Sequence, residues 1–366
     1  MKKLGFGLMR LPMTEGKVDI ERTKSLVDSF LADGFTYFDT AACYHRGESE
    51  STFRKAVSSR YPRAAYSITD KLSLFMLKKA EDIAPFFENQ LETLGVEYLD
   101  VYLLHALDKE GYTTAVEWDA FNFMRAKLAE GKVKHIGFSF HDDAEMLDKI
   151  LTEQPDMEFV QLQINYIDWD DANVQARKCY EVARRHGKKI LVMEPVKGGS
   201  LVNVSDKIKA HLKACDPSMS IASWAIRFAA THEGVEMVLS GMSNEEQLYD
   251  NMSYMKDFCP LNEGEMTAVM TAADMIKAEI AVPCTGCRYC VDYCPQNIAI
   301  PDYFNFLNVH TRYGEIPWKD RGDLHDILKH NGKPSDCIKC GACEGHCPQN
   351  IDIRSALEKT LILEKR

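Results

Sequence analysis

The chain has 366 residues, of which 45% are hydrophobic and 27% charged, as expected for one large globular domain and a smaller one. No apolar run approaches the roughly 18 residues of a membrane-spanning helix. The net charge of −11 argues against a nucleic-acid partner, because such partners require clustered basic side chains. Arg10 and Pro12 interrupt the amino-terminal apolar stretch before it can form a signal-peptide core. We therefore expect a cytoplasmic protein without a membrane partner.

Strand-like and helix-like segments alternate from residue 19 to about residue 255. Short apolar runs typical of buried strands occur at residues 36–39, 66–71, 100–105, 135–139, 159–163, 190–194 and 237–241. Between them lie helical patterns, such as residues 83–94, where apolar side chains recur three and four positions apart. This alternation predicts a parallel sheet. Residues 1–12 offer an eighth strand or a plug, and no strand is followed by the glycine pattern of a Rossmann phosphate turn.

Polar residues stand at or just after the ends of six of these runs, namely Asp39, Lys71, His105, Ser139, Gln163 and Glu194. A single polar residue in such a place can simply mark where a strand emerges into water. Six in series favour a (β/α)8 TIM barrel, because its strand ends converge on one face where active sites form. We therefore predict an α/β fold with this barrel over residues 1–278.

Two copies of one cysteine pattern, C-x2-C-x2-C-x3-C followed by proline, occupy the last quarter of the chain. The copies are Cys284, Cys287, Cys290 and Cys294, then Cys337, Cys340, Cys343 and Cys347. This pattern resembles the run of bacterial ferredoxins that hold two [4Fe–4S] clusters. Zinc ligands usually come in two pairs, and disulfides suit exported proteins, so the repeated spacing favours iron–sulfur clusters. We predict a small α+β bacterial-ferredoxin-like domain over residues 279–366.

In two-cluster ferredoxins the fourth cysteine of each run ligates the other cluster. The resemblance therefore implies two crossed ligand sets, Cys284, Cys287 and Cys290 with Cys347, and Cys337, Cys340 and Cys343 with Cys294.

The end of the first predicted strand and the loop after it read Asp39-Thr40-Ala41-Ala42-Cys43-Tyr44, then Gly47-Glu48-Ser49-Glu50. This segment resembles the signature of the aldo-keto reductases. Lys71 and His105 end the next two strands. With Asp39 and Tyr44, they match the catalytic tetrad of that family in order, spacing and strand position. Together with the cysteine runs, the chain resembles the branch of this superfamily that carries a C-terminal ferredoxin-type domain.

The predicted tetrad has a coherent chemistry. Reduction of a carbonyl group by hydride requires a proton for the developing alkoxide, and Tyr44 is the expected donor. We expect the ammonium group of Lys71 to lower the pKa of Tyr44, with Asp39 as the counter-ion of Lys71. His105 is expected to orient the carbonyl oxygen.

The family resemblance implies a nicotinamide dinucleotide bound across the barrel mouth. Ser139 and Gln163 match residues that hold the carboxamide group, and Met193 matches a residue that stacks on the ring. The segment at the adenosine end is represented by Gly241, Ser243, Gln247 and Asn251. Phe140 replaces the asparagine of the family's Ser-Asn pair, with His141 as a substitute contact. Residues 241–251 contain no basic residue for a 2′-phosphate, which leaves NADPH and NADH both open.

We expect an oxidoreductase that exchanges hydride between a nicotinamide cofactor and a carbonyl or alcohol substrate, with two [4Fe–4S] clusters for electron transfer. Nicotinamide transfers two electrons and a cluster one, so a flavin is a further candidate cofactor and a redox protein a candidate partner. One alternative is a nicotinamide-independent reductase supplied by a partner ferredoxin or flavoprotein. The other is a redox-sensing electron-transfer protein.

Overall fold

The computed structural model describes residues 2–172, 174–313, 315–316 and 318–365. The chain divides into two compact units, each with its own internal contacts. The barrel unit consists of Met1–Asp171, Gln175–Pro195 and Ala222–Glu263, and the cysteine unit of Ala172–Val174, Val196–Ile221 and Gly264–Arg366. The domain boundary expected between residues 278 and 279 stays a prediction, because the contacts also assign the segment after Pro195 to the cysteine unit.

Eight parallel strands close into a barrel, each paired with its neighbours along the chain. They are β1 (Leu4–Gly7), β2 (Tyr37–Asp39), β3 (Ser67–Leu72), β4 (Leu99–Leu107), β5 (Val133–Phe140), β6 (Phe159–Gln163), β7 (Lys189–Met193) and β8 (Val235–Ser240). Pairing of Leu4 with Val238 joins β1 to β8 and completes the barrel. The predicted α/β barrel is confirmed, and the amino-terminal segment supplies its eighth strand.

Fourteen α-helices are assigned in the described residues. They are α1 (Ile20–Ala32), α2 (Ser49–Phe53), α3 (Ile83–Leu94), α4 (Lys109–Glu117), α5 (Ala120–Ala129), α6 (Ala144–Glu153), α7 (Ala176–Arg185), α8 (Asp206–Cys215), α9 (Ile221–Thr231), α10 (Glu245–Met255), α11 (Glu263–Glu279), α12 (Ile300–Tyr313), α13 (Trp318–His330) and α14 (Ile353–Thr360). Aspartate side chains cap several helix starts, as where Asp19 accepts a hydrogen bond from the Arg22 N–H and Asp143 from the Met146 N–H. None of the described helices is long and apolar enough to cross a membrane.

Apolar side chains fill the interior of the barrel. Tyr37, Val101, Phe159 and Met237, from four different strands, belong to one buried cluster there. The strands β5 and β6 approach so closely at Gly137 that a Cβ atom at this position would lie 2.0 Å from the carbonyl oxygen of Phe159. This packing makes the barrel a solid support, so functional groups are confined to its ends.

The cysteine unit has a separate core. Tyr303 and Phe304 of α12 and Leu357 of α14 are buried in it, and several of the motif cysteines pack against the same cluster. A single β-bridge, between Ile298 and Gly332, is found among the described residues of this region outside the named strands. The cysteine runs are therefore held by helices and irregular backbone around a shared apolar core.

Candidate active site and candidate cluster ligands

A buried ion pair lies at the carboxyl end of the barrel strands. Lys71 near the end of β3 is completely buried, and its Nζ donates hydrogen bonds to Asp39 Oδ1 and to the Thr40 carbonyl oxygen, each at 2.7 Å. The second carboxylate oxygen of Asp39 accepts a hydrogen bond of 3.1 Å from Gln161 Nε2. Each charge thus has a partner, as a charge removed from water requires.

Tyr44 and His105 complete a group of four with this pair. The Nζ of Lys71 is 4.9 Å from the centre of the Tyr44 ring. The rings of Tyr44 and His105 stand edge to face with their centres 6.0 Å apart. The structure therefore brings the four residues of the predicted tetrad together, from β2, the loop after it, β3 and β4.

The lowered pKa expected for Tyr44 is not found, because burial outweighs any effect of Lys71. Burial raises the pKa of Tyr44 well above its ordinary value, and the carboxylate of Asp39 adds to the increase. The physical reason is that Lys71 donates directly to Asp39, so the negative charge of that carboxylate offsets the ammonium group. Tyr44 is consequently held as the neutral phenol, the form that can donate a proton.

His105 is held as the neutral imidazole. Burial lowers its pKa well below the ordinary value, and the nearby positive charge of Lys71 lowers it further. The Nδ1 atom lies 2.6 Å from the Oγ of Ser73, which fixes the orientation of the ring. Phe75, a largely exposed side chain, contacts the same ring with centres 5.3 Å apart. Neither Ser73 nor Phe75 was singled out from the sequence.

Cys43 also lies near the tetrad, with its Sγ 4.0 Å from the Nδ1 of His105. Burial raises the pKa of this thiol to about 11. The thiol form therefore predominates at neutral pH, and a nucleophilic role has no support.

The residues predicted to contact the nicotinamide stand at the ends of β5, β6 and β7: Ser139 and Gln163 for the carboxamide and Met193 for the ring face. The Oγ of Ser139 accepts a hydrogen bond of 2.7 Å from the backbone N–H of Ala106. The Nε2 of Gln163 donates to Asp168 Oδ2 at 2.7 Å, and Met193 is partly buried. Burial lowers the pKa of His141 to about 4, so this residue is neutral as well.

The predicted adenosine-end segment follows β8 and is internally hydrogen-bonded. The backbone N–H of Ser243 donates to Gln247 Oε1 at 2.8 Å. Asn251 is buried, and its amide group donates to Ser240 Oγ at 2.7 Å and accepts from Tyr254 Oη at 2.6 Å. Asn251 thus connects the end of this segment to Ser240 at the end of β8.

A cation that the sequence did not reveal lies beside this segment. The aliphatic part of Arg10 packs over Gly241, where a Cβ atom would lie 3.0 Å from the Cβ of Arg10. The Oγ of Ser243 donates to the Arg10 carbonyl oxygen at 2.8 Å. A basic residue outside positions 241–251 therefore contacts this segment through its backbone and its aliphatic side-chain carbons. No local pattern could have paired residues so far apart in the chain.

Three cysteines of the first run share a pocket with one from the second. Cys284, Cys287, Cys290 and Cys347 line it, with Phe304 among its apolar neighbours. The backbone N–H of Gly286 lies 3.4 Å from the Cys284 Sγ and donates to it. Soft sulfur ligands in an apolar shell, with an N–H group directed at sulfur, fit the chemistry of an iron–sulfur cluster.

The second predicted set consists of Cys337, Cys340 and Cys343 with Cys294. Burial raises the pKa of Cys343 to about 11, and the neighbouring charges that add to this effect include those of Cys294 and Cys337. Cys340 is exposed. No group of three or more His, Cys, Asp or Glu side chains is arranged for a single metal ion in the part of the chain that the structure describes.

Family comparisons agree with both halves of this description. Residues 3–274 match the model of the aldo/keto reductase family, and residues 283–351 match that of the 4Fe-4S dicluster domain. The chain belongs to the aldo/keto reductase family.

Individual relatives are distant. An aldo-keto reductase of Mycolicibacterium vanbaalenii is 28% identical over 70% of this chain and 82% of its own length. A probable aldo-keto reductase of Glycine max is 30% identical over 38% of this chain and 41% of its own. The chain thus matches less than half of the length of some of its curated relatives.

Solved structures show the same fold. An aldo-keto reductase of Bacillus halodurans in its holo form has a TM-score of 0.58 at 20% identity, covering 74% of this chain and 91% of its own. One from Klebsiella pneumoniae, in complex with NADP and acetate, has a TM-score of 0.58 at 20% identity, covering 73% and 89%.

The crossed cysteine sets can be tested in a chain that retains one cluster. In a Cys337→Ala, Cys340→Ala background, we expect reconstituted iron to fall to about half, because only the first set is intact. Adding Cys347→Ala should then remove or convert the remaining cluster, whereas adding Cys294→Ala should leave it unchanged. Iron analysis and electron paramagnetic resonance after reduction make the measurement. Loss of the cluster with Cys294→Ala instead would show that each run ligates its own cluster.

Proposed function

We propose that this protein is an oxidoreductase whose barrel transfers hydride between a nicotinamide cofactor and a carbonyl or alcohol substrate. The observation that carries the proposal is the arrangement of Tyr44 between the buried Lys71–Asp39 pair and His105 at the carboxyl end of the strands. The cofactor, when bound, supplies or accepts the hydride at the substrate carbon. The protein must then deliver or remove one proton at the substrate oxygen.

Tyr44 is the proton donor in the reductive direction. Its phenol is protonated over the whole physiological range, since burial and Asp39 raise its pKa. An alkoxide that develops on the substrate is a stronger base than a phenolate, so the proton passes from Tyr44 to the substrate oxygen. Lys71, within 4.9 Å of the ring centre, then stabilises the phenolate that remains.

His105 orients the substrate oxygen. As a neutral imidazole it adds no second positive charge beside Lys71 and can form a directed hydrogen bond. Its Nδ1 is engaged with Ser73, so the other ring nitrogen is the one turned toward substrate. The fixed ring lowers the entropy cost of placing the carbonyl group for reaction.

Nicotinamide use rests on residues at the barrel mouth. Ser139 and Gln163 are assigned to the carboxamide group and Met193 to the ring face. The adenosine end is assigned to Gly241, Ser243 and Gln247, in the segment that Asn251 connects to Ser240. The NADP that the Klebsiella relative binds is consistent with this assignment. Arg10, whose aliphatic carbons pack over Gly241, is the candidate for a contact with a 2′-phosphate.

The cysteine unit is proposed to hold two [4Fe–4S] clusters in the crossed arrangement. Clusters of this type exchange single electrons at potentials set by hydrogen bonds to sulfur and by solvent exposure. The pocket lined by Cys284, Cys287, Cys290 and Cys347 and the hydrogen bond from Gly286 support this role.

A nicotinamide-independent reductase is the second candidate. The observation that favours it is that the amide groups of Gln163 and Asn251 already donate within the barrel unit. Electrons would then come from a partner ferredoxin or flavoprotein, while Tyr44 keeps its role as proton donor.

Anaerobic titration distinguishes the two candidates. Reconstituted protein is mixed separately with NADPH and with NADH, while nicotinamide fluorescence and the iron–sulfur absorbance band are followed. Binding of either nucleotide supports the first candidate, and bleaching of the absorbance would show that the clusters accept its electrons. If neither nucleotide binds at concentrations up to about 1 mM, the upper end of ordinary affinities, the second candidate takes its place.

Replacement of Tyr44 tests the proton donor. In Tyr44→Phe we expect kcat for reduction of an aromatic aldehyde such as 4-nitrobenzaldehyde to fall by about 10²–10⁴-fold, the usual contribution of a general acid. Nucleotide affinity should be unchanged, since only one hydroxyl group is removed. Tyr249→Phe, which removes the hydroxyl of an exposed tyrosine on α10, is the matched control and should retain full activity. Full activity in Tyr44→Phe would exclude Tyr44 from proton transfer.

Replacement of Arg10 tests the cofactor phosphate. For Arg10→Gln we expect about a 10–100-fold loss of affinity for adenosine 2′,5′-bisphosphate, the usual value of a hydrogen bond to a charged group, and little change for 5′-AMP. Calorimetry measures both affinities without turnover. Arg22→Gln is the control, because Arg22 is paired with Glu245 of the same segment at 2.6 Å. Equal losses for both ligands would mean that Arg10 holds the segment instead of the 2′-phosphate.

A further inference from the structure

A second buried polar network lies on the outer side of the barrel wall, between β3 and the helices α2 and α3. Its centre is Gln90 of α3, which is completely buried. The Nε2 of Gln90 lies 3.0 Å from Glu50 Oε1, 3.0 Å from Asp70 Oδ2 and 3.1 Å from the carbonyl oxygen of Lys71. Tyr102 Oη donates to the amide oxygen of Gln90 at 2.7 Å. None of these side chains belongs to the tetrad. Lys71, which is a tetrad residue, takes part in the network through its backbone.

Glu50 and Asp70 form a carboxyl pair within this network. Both are nearly or completely buried, and the Nε2 of Gln90 lies 3.0 Å from one carboxylate oxygen of each. Two adjacent carboxylates cannot both be ionised in such a place, so the pair keeps a proton. Burial raises the pKa of Asp70 well above its ordinary value, with a further increase from the charge of Glu50. Burial raises the pKa of Glu50 as well, so the retained proton belongs to the pair.

The pair joins the two chain segments that carry the reacting groups. Glu50 lies on α2, just after the loop with Tyr44, and Asp70 directly precedes Lys71 on β3. Asp70 Oδ1 accepts a hydrogen bond of 2.8 Å from the Lys71 backbone N–H, and Gln90 holds the Lys71 carbonyl oxygen. Both backbone groups of Lys71 are thus tied to this network.

The loop that the pair fastens is strained. His45 and Arg46 adopt left-handed backbone conformations with φ of 49° and 55°, and Gly47 follows with φ of 90°. A non-glycine residue in this backbone region is strained and persists only where the surroundings hold it. The Leu11 N–H donates to His45 Nε2 on one side of the turn. On the other side of the turn, the carboxylate of Glu50 accepts a hydrogen bond from Gln90 Nε2.

We propose that Glu50 and Asp70 are positioning residues, whose shared proton fastens the strained Tyr44 loop to the strand that carries Lys71. This inference rests on the proposed role of Tyr44 and Lys71. No bond to substrate is involved. With the proton present, the pair forms one O–H···O hydrogen bond and carries a single negative charge. When hydroxide removes the proton, that hydrogen bond is lost, two negative charges repel, and Tyr44 is released from its place beside Lys71.

The groups around the pair identify the direction of this pH dependence. The positive charge of Lys71 lowers the pKa of Asp70 and opposes protonation, while α3 contributes only the neutral amide of Gln90. Tyr102, Cys43 and Tyr44 also face the pair, and each has a raised pKa for which burial is the first cause, so they stay neutral. The folded-state pKa of Asp70 exceeds its unfolded value. The stability it contributes is therefore complete below the unfolded value and is lost as pH rises through the folded value.

Glu50→Gln is the informative variant, because it keeps the hydrogen bonds without needing the proton. A glutamine at this position accepts from Gln90 through its oxygen and donates to an ionised Asp70 through its nitrogen. Glu50→Ala removes both contacts. The control Glu48→Gln makes the same charge change on an exposed side chain two residues away.

The first measurement is hydrogen exchange of residues 44–53, comparing variants with the parent protein at the same pH. At about pH 6 we expect Glu50→Gln and the parent to be protected equally and Glu50→Ala to exchange at least about tenfold faster, since local opening governs exchange. In a series from about pH 6 to about pH 11, the parent should lose protection at a pH where Glu50→Gln still keeps it. Parallel loss of protection in Glu50→Gln and the parent would overturn the proposal. So would an unchanged parent.

The second measurement is kcat/KM for 4-nitrobenzaldehyde over the same pH range. Misplacement of a reacting group by about 1 Å costs on the order of 10²-fold, so we expect a loss of that size in Glu50→Ala. Glu50→Gln should restore activity and move the alkaline decline to higher pH, whereas Glu48→Gln should follow the parent. A purely structural pair would lower activity without altering the pH profile, which would refute the positioning role. If no variant, nor the parent, reduces a carbonyl, the proposed function fails, and hydrogen exchange still decides the inference.

Discussion

A lysine ammonium group without solvent exposure can exist in a barrel only where its charge and hydrogen bonds are matched. Lys71 meets this condition with Asp39 and the Thr40 carbonyl oxygen, each at 2.7 Å. Breaking such a pair by removing one partner typically costs about 3–5 kcal/mol, because the other charge is left buried. The strand ends are therefore fixed relative to one another. Tyr44 and His105 are placed by reference to this pair, and the electrostatics of both follow from it.

Burial, reinforced by the two charges of this pair, explains why the phenol and the imidazole are neutral. Asp39 accepts the ammonium hydrogen bond, so Tyr44 experiences burial and a carboxylate instead of an unopposed cation. His105 experiences burial and the cation, and it stays unprotonated. A neutral donor and a neutral orienting group suit a reaction in which negative charge develops on oxygen, because preorganised donors stabilise that charge without reorganisation.

The period of a β-strand links this site to the helices outside the barrel. Successive side chains on β3 point to opposite faces, so Lys71 enters the barrel while Asp70 faces α2 and α3. The cysteine unit follows a different principle. Its sulfur groups come from two distant runs around an apolar core, and their pairing depends on how the chain returns to bring Cys347 beside Cys284.

The sequence by itself determined the barrel and the cysteine pattern, which depend on the period of strands and helices and on the chemistry of closely spaced ligands. The tetrad was predicted from the family resemblance, and the structure brings its four residues together. Only the tertiary structure decided that Arg10 lies over Gly241, that Asn251 is hydrogen-bonded to Ser240, and that Gln90 contacts both Glu50 and Asp70. It also reversed the expected shift of the Tyr44 pKa. These properties depend on burial and on distances between residues remote in the chain, which no local pattern encodes.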